Sequence, residues 1–104
     1  MCTRDSVTVS SIREAIDAAA IDLVAICSPS GMHVDLATAA LAAGCHVLVE
    51  KPLDTTIPRA RKIAALAASA RARGLVVSVV SQHRFDPAAV AVARAAHSLS
   101  LIHI

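Results

Sequence analysis

The sequence predicts an α/β fold, a parallel sheet covered by helices. Three observations predict it. Short apolar runs alternate with longer segments of helical periodicity. The runs show no polar alternation, the pattern of strands buried on both faces of a parallel sheet. Glycines stand at the ends of two helical segments, and polar clusters follow the apolar runs.

The elements follow in order. Val7 to Val9 reads as a short strand. Ser11-Ile12-Arg13-Glu14 has the capping-box form, Ser at N-cap and Glu at N3. It opens a helix to about Ala20, with Ile12, Ala15, Ile16 and Ala19 on one face. Leu23 to Cys27 is a buried strand, broken by Ser28-Pro29-Ser30-Gly31. A helix runs from about His33 to Ala43, closed by Gly44. Val47 to Val49 is the second buried strand and stops at Glu50-Lys51-Pro52. Thr56 caps the next helix, Pro58 fits its first turn, and Gly74 ends it after Arg73. Its inward face is Ile63, Leu66, Ala67 and Ala70. Leu75 to Val80 is a third buried strand. Ser81 to Phe85 leads to a last helix, with Asp86 as N-cap and Pro87 at N1, ending near Ala96 or His97. Regular alternation makes parallel pairing with right-handed crossovers the economical topology.

Composition narrows the function classes. With 104 residues there is room for one small domain. Alanine makes up about a fifth of the chain and Phe85 is the single aromatic residue, so the core is Val, Ile, Leu and Ala. A net charge of +2 gives no footprint for nucleic acid. Arg59, Arg61, Lys62, Arg71 and Arg73 gather on one helix without interleaved aromatics and read as a solvated face. No apolar run reaches the roughly eighteen residues of a membrane helix, and residues 1–20 are too polar for the apolar core of a signal peptide. Cys2, Cys27 and Cys45 form no C-x-x-C pair and read as buried thiols in a reducing compartment. Cys45 and His46 point to opposite faces of a strand and cannot grip one ion, so no metal is expected.

In parallel sheets ligands sit beyond the carboxyl ends of the strands. Three polar clusters fall there: Ser28–His33, Glu50–Pro52 and Gln82–Phe85. They point to a site on one rim.

The residues that follow carry a resemblance. Asp22-Leu23-Val24-Ala25-Ile26-Cys27-Ser28-Pro29, then His33, then Ala39 to Leu53 (AALAAGCHVLVEKPL), resembles the core signature of the Gfo/Idh/MocA oxidoreductases. Gln82-His83-Arg84-Phe85-Asp86-Pro87 resembles the Arg-Phe segment one unit later, so the resemblance covers most of residues 5–95. It implies part of a doubly wound, Rossmann-like parallel sheet and hydride transfer with NAD or NADP, acting on a sugar, inositol or related polyol. It also implies a homo-oligomeric, cytoplasmic enzyme with no nucleic-acid or membrane partner. By resemblance, Ser28 and Pro29 line the dinucleotide groove and His33 lies near its nicotinamide-ribose side. Glu50 faces the ribose or positions Lys51, whose bond to Pro52 is often cis in the family, and Arg84 lies near cofactor or substrate. Lys51 is the candidate catalytic residue. A lysine beside the nicotinamide can take or give a proton at the substrate oxygen as hydride leaves or arrives.

The match is incomplete. Gly31, Gly44 and Gly74 are the three glycines and none forms a G-x-G-x-x-G turn. Residues 1–97 therefore read as part of the dinucleotide-binding domain, without its first β-α-β unit and without the substrate domain. Residues 98–104 read as a tail that does not match. Arg59 stands where a capping glutamate is common. A chain of this content is expected to be inactive alone and poorly soluble. The competing reading is a non-catalytic binding remnant. A receiver-like signalling domain fits less well, because Ile26-Cys27-Ser28 offers no phosphoacceptor carboxylate.

Overall fold

A computed structural model of the protein describes residues 8–98. The chain runs α1 (Ile12–Ala18), β1 (Leu23–Ile26), a 3-10 turn (Ser30–Met32), α2 (His33–Ala42), β2 (His46–Val49) and α3 (Ile57–Ala72). It continues with β3 (Val77–Val79), a second 3-10 turn (Gln82–Phe85) and α4 (Pro87–Ser98). The strands form one parallel sheet in the order β1-β2-β3. Ile26 pairs with Val49, and Val49 with Val79, so all three carboxyl ends reach the same edge.

Local chemistry sets the boundaries. Ser11 Oγ accepts the Glu14 N–H at 3.1 Å and Thr56 Oγ1 accepts the Arg59 N–H at 3.4 Å. Each such cap contributes about 1 kcal/mol. The Glu14 carboxylate closes its box one residue earlier than expected, accepting from the Ser10 N–H at 2.8 Å and its hydroxyl at 2.6 Å. Gly44 and Gly74 adopt φ of 84° and 77°. Each completes a Schellman ending: Cys45 N–H donates to Ala40 and Gly44 N–H to Leu41, and Leu75 and Gly74 do the same to Ala70 and Arg71.

Some sequence expectations shift. Thr8 and Val9 lie outside any strand, and Val7 lies outside the described residues. The first helix stops at Ala18, where extended backbone at Ala19 ends it. Asp86 gives its carboxylate to His83 Nδ1 at 2.8 Å, a use that the expected N-cap role did not foresee. The final residues, 99–104, also lie outside the described set.

The core lies on one face of the sheet. Val47 and Val49 of β2 meet Ala37, Ala40 and Leu41 of α2 and Ala70 of α3. The alanines bury little area but let the helices approach closely. Each fully buried Val or Leu contributes about 1.5–3 kcal/mol. Successive crossovers of one hand that advance in one direction set their helices on one face. Strands covered on both faces were expected; among the described residues only one face is covered. Leu23, His46, Leu48, Val76 and Ser78 line a shallow apolar trough on the other face. β3 is the least covered strand, with Ser78 and Val79 exposed. It pairs on one side only among the described residues.

Candidate functional site

The edge at the carboxyl ends of the strands is assembled from loops that the backbone ladder carries outward. Glu50 N–H donates to Ile26 O, and Val80 N–H donates to Val49 O, each at 2.9 Å. The polar clusters after β1, β2 and β3 therefore start from one rim, as the sequence predicts.

Two of the clusters are joined by His33. Its ring is 1% exposed. Nδ1 lies 2.8 Å from Pro52 O, and Nε2 lies 3.0 Å from Ser28 O. Carbonyl oxygens only accept. A ring with one N–H therefore donates to one of them, and a ring with two donates to both. Both ring nitrogens thus face inward to backbone, so His33 stands behind the rim rather than on its surface.

Glu50, Lys51 and Pro52 leave β2 at the rim. The Glu50 carboxylate accepts the Lys51 backbone N–H at 2.8 Å. The Lys51–Pro52 peptide is cis. Lys51 is exposed, and its ammonium has no ion-pair or hydrogen-bond partner among the described residues. Across from it, Ser28 is half-buried and Pro29 exposed, in extended backbone that ends β1.

A second tie was not foreseen. The Asp54 side chain has 0% exposure. Its carboxylate accepts from Thr55 N–H at 2.7 Å, Arg59 Nε at 2.8 Å, the Thr55 hydroxyl at 3.1 Å and Val34 N–H at 3.3 Å. Burial works to raise its pKa. The Thr55 N–H, the Arg59 guanidinium, the Val34 N–H and the Thr55 hydroxyl together outweigh that and bring it down to about 2. Met32 at the N-cap of α2 makes no side-chain cap. Asp54 serves instead, as a negative charge at a helix N-terminus supplied twenty residues later.

Arg59 corrects the reading of a solvated basic face. Its side chain is 31% exposed, and it donates to Asp54, to Gly31 O at 3.0 Å and to Asp35 Oδ2 at 3.1 Å. The bonds to Asp54 and Asp35 raise its pKa further. Arg73 is likewise engaged, donating to Leu41 O at 3.2 Å at the end of α2. The sequence carries no local signal for these ties, because Gly31, Val34 and Asp35 lie more than eighteen residues from their partners.

The third cluster starts at the same edge, but among the described residues no hydrogen bond joins it to the other two. Gln82, His83, Arg84 and Phe85 are exposed. Arg84 borders a cavity of about 370 Å³ with Ser78, Val79, Ser81 and Phe85. It also borders a larger one, of about 750 Å³, with Ala89, Val90, Ala93, Arg94, His97 and Ser98. Neither cavity includes residues of the first two clusters.

The two described cysteines divide, and Cys2 lies outside the described residues. Cys45 is buried and its thiol donates to Ile21 O at 3.2 Å, whereas Cys27 is exposed, contrary to the expectation of buried thiols. His46 points away from Cys45 and accepts the Val76 N–H at Nδ1, 3.0 Å. No helix among the described residues is long and apolar enough to cross a membrane.

Comparison with known proteins gives one consistent picture. Residues 3–81 match the family model GFO_IDH_MocA, described as an oxidoreductase family with an NAD-binding Rossmann fold. The chain is 47% identical over 66 residues to the uncharacterized oxidoreductase YdgJ of Escherichia coli, covering 64% of this chain and 18% of that protein. It is 34% identical over 82 residues to the scyllo-inositol 2-dehydrogenase (NADP(+)) IolW of Bacillus subtilis, covering 79% of this chain and 22% of that protein. The WlbA dehydrogenase from Bordetella pertussis, solved in complex with NADH and UDP-GlcNAcA, superposes with a TM-score of 0.76 at 27% identity, over 86% of this chain and 25% of that one. The chain thus spans about a fifth of the length of the curated relatives it matches.

Proposed function

The chain belongs to the Gfo/Idh/MocA oxidoreductases, and on that premise we propose that it forms the nicotinamide side of an NAD(P)-dependent dehydrogenase acting on a sugar, inositol or related polyol. The observation that carries this reading is the joining of the Ser28-Pro29 turn to the Glu50-Lys51-Pro52 turn at one rim, with the Lys51 ammonium unpartnered among the described residues.

The residues present fit one part of a dinucleotide. The backbone at Ser28 and Pro29 borders the groove, Glu50 and Pro52 flank Lys51, and Arg84 stands on the neighbouring loop for a hydroxyl or carboxylate. His33 serves the groove through the two loops it joins. The pyrophosphate needs a Gly-rich turn at a helix N-terminus. Among the three glycines, Gly44 and Gly74 instead end helices, before the strands and away from the rim.

When bound, the nicotinamide would accept or give the hydride. Lys51 would hold the proton at the substrate oxygen, taking it as the alcohol is oxidised and giving it as the ketone is reduced. Glu50 would fix the start of the Lys51 backbone.

A segment exchange tests the reading. Residues of IolW aligned with this chain are replaced by those of this chain, and oxidation of scyllo-inositol with NADP(+) is measured. The chimera is expected to turn over, and Lys51→Met within it is expected to lower turnover by about 10²–10⁴-fold. A folded chimera that turns over equally well with and without Lys51 would remove the lysine's role. A folded chimera without activity would favour the reading of a non-catalytic remnant.

A further inference from the structure

The geometry points to His33 as the positioning residue that fixes Lys51 opposite the Ser28-Pro29 turn. This rests on the proposed function, because Lys51 needs placing only if it works at a bound nicotinamide.

Three observations lead to it. His33 is a polar side chain with 1% exposure, in a place where a polar ring persists only if its nitrogens are partnered. Its partners are the backbone carbonyls of residues 28 and 52, one in each rim loop. The Lys51 backbone is thereby bracketed: the Glu50 carboxylate holds its N–H, and His33 holds the carbonyl of the next residue.

The ring itself has little freedom. It belongs to the first residue of α2, whose second residue gives its N–H to buried Asp54. Arg59 holds the Gly31 carbonyl in the turn just before it. Asp54 ties the second loop to α2, and Arg59 ties α3 to Gly31 of the first loop and to Asp54 of the second. Of the three ties, His33 is the one that touches a residue adjacent to Lys51.

Because each ring nitrogen faces a different loop, the two halves of the brace are separable. An asparagine amide can reach about where Nδ1 stands, and a glutamine amide about where Nε2 stands. His33→Asn is therefore expected to keep the contact to Pro52 and lose that to Ser28. His33→Gln is expected to do the reverse, and His33→Ala to lose both.

The test is carbonyl ¹³C spectroscopy of the full 104-residue chain, labelled with ¹³C and ¹⁵N. The Ser28 carbonyl signal is expected to move in His33→Asn, the Pro52 signal in His33→Gln, and both in His33→Ala. Unchanged amide signals of Val47 and Val49 report that the sheet is intact. General loosening moves both carbonyls in every variant, and that result would overturn the brace. So would no movement in any of them.

Function is read separately, in the IolW chimera. His33→Asn and His33→Gln are each expected to lower kcat at least tenfold, with a smaller change in the KM for NADP(+). If Lys51→Met stops turnover while both His33 variants match the parent, His33 positions nothing. If Lys51→Met has no effect while the carbonyl pattern holds, the proposed function falls and the brace between the loops remains.

Discussion

Arg59 Nε lies 2.8 Å from Asp54 Oδ1, and this ion pair joins the start of α3 to a carboxylate with no exposed surface. Through Val34 N–H the same carboxylate caps α2. One pair of side chains thus sets how two helices meet the rim.

The first prediction concerns acid. Asp54 is held at about 2 in the fold against an ordinary value of 3.8. A depressed carboxylate contributes stability that is present above its unfolded pKa and lost as pH falls through its folded pKa. The loss is expected between about pH 4 and 2. Urea midpoints across that range should fall steeply in the parent chain. Asp54→Asn should be less stable at neutral pH and show a flatter fall.

Arg59 should matter more than its basic neighbours. Arg59→Ala leaves a buried carboxylate without its cation, the costly kind of loss. Arg61 is exposed, with no partner among the described residues. Thermal unfolding should show a clear drop in Tm for Arg59→Ala and almost none for Arg61→Ala. Equal effects would place Arg59 back on the solvated face.

The core prediction turns on Leu41, which is 1% exposed between α2 and the sheet. Leu41→Ala should cost about 2–5 kcal/mol by chemical unfolding. Val92→Ala, on the exposed side of α4, should stay within about 0.5 kcal/mol.

Two glycines should separate by backbone alone. A Cβ at Gly44 meets nothing within 4 Å, yet φ there is +84°. Gly44→Ala should cost about 1–2 kcal/mol from that conformation. Gly31 has an ordinary φ, and a Cβ there meets Thr55 at 3.7 Å, an ordinary contact. Gly31→Ala should be close to neutral in the same measurement.

The last prediction concerns the cofactor. These residues hold no Gly-rich turn for a pyrophosphate, so calorimetric titration of the 104-residue chain with NADH should give no micromolar binding. Micromolar affinity would show that the rim suffices by itself.

Much of the fold was legible. Ser11, Thr56, Gly44 and Gly74 act within a few residues of themselves, so their caps and stops could be read from spacing. The apolar runs at Leu23 and Val47 marked two strands, and their parallel order followed from the alternation with helices. The rim was legible for the same reason, since every parallel strand delivers its following loop to one edge. Strand coverage was not. An apolar run looks alike whether one face or two are covered, and Val76 is 59% exposed despite its hydrophobic neighbours.

The amino-acid sequence by itself determined the helices, the strands from Leu23 onward, their parallel direction and the family, because those depend on local periodicity and on a signature of fixed spacing. Only the tertiary structure decided that His33 spans Ser28 and Pro52, that Asp54 caps a distant helix and that Arg59 is tied down. Those contacts join residues five to twenty-eight positions apart, and sequence spacing does not encode which loop carbonyl or carboxylate a side chain meets once the sheet has brought the loops together.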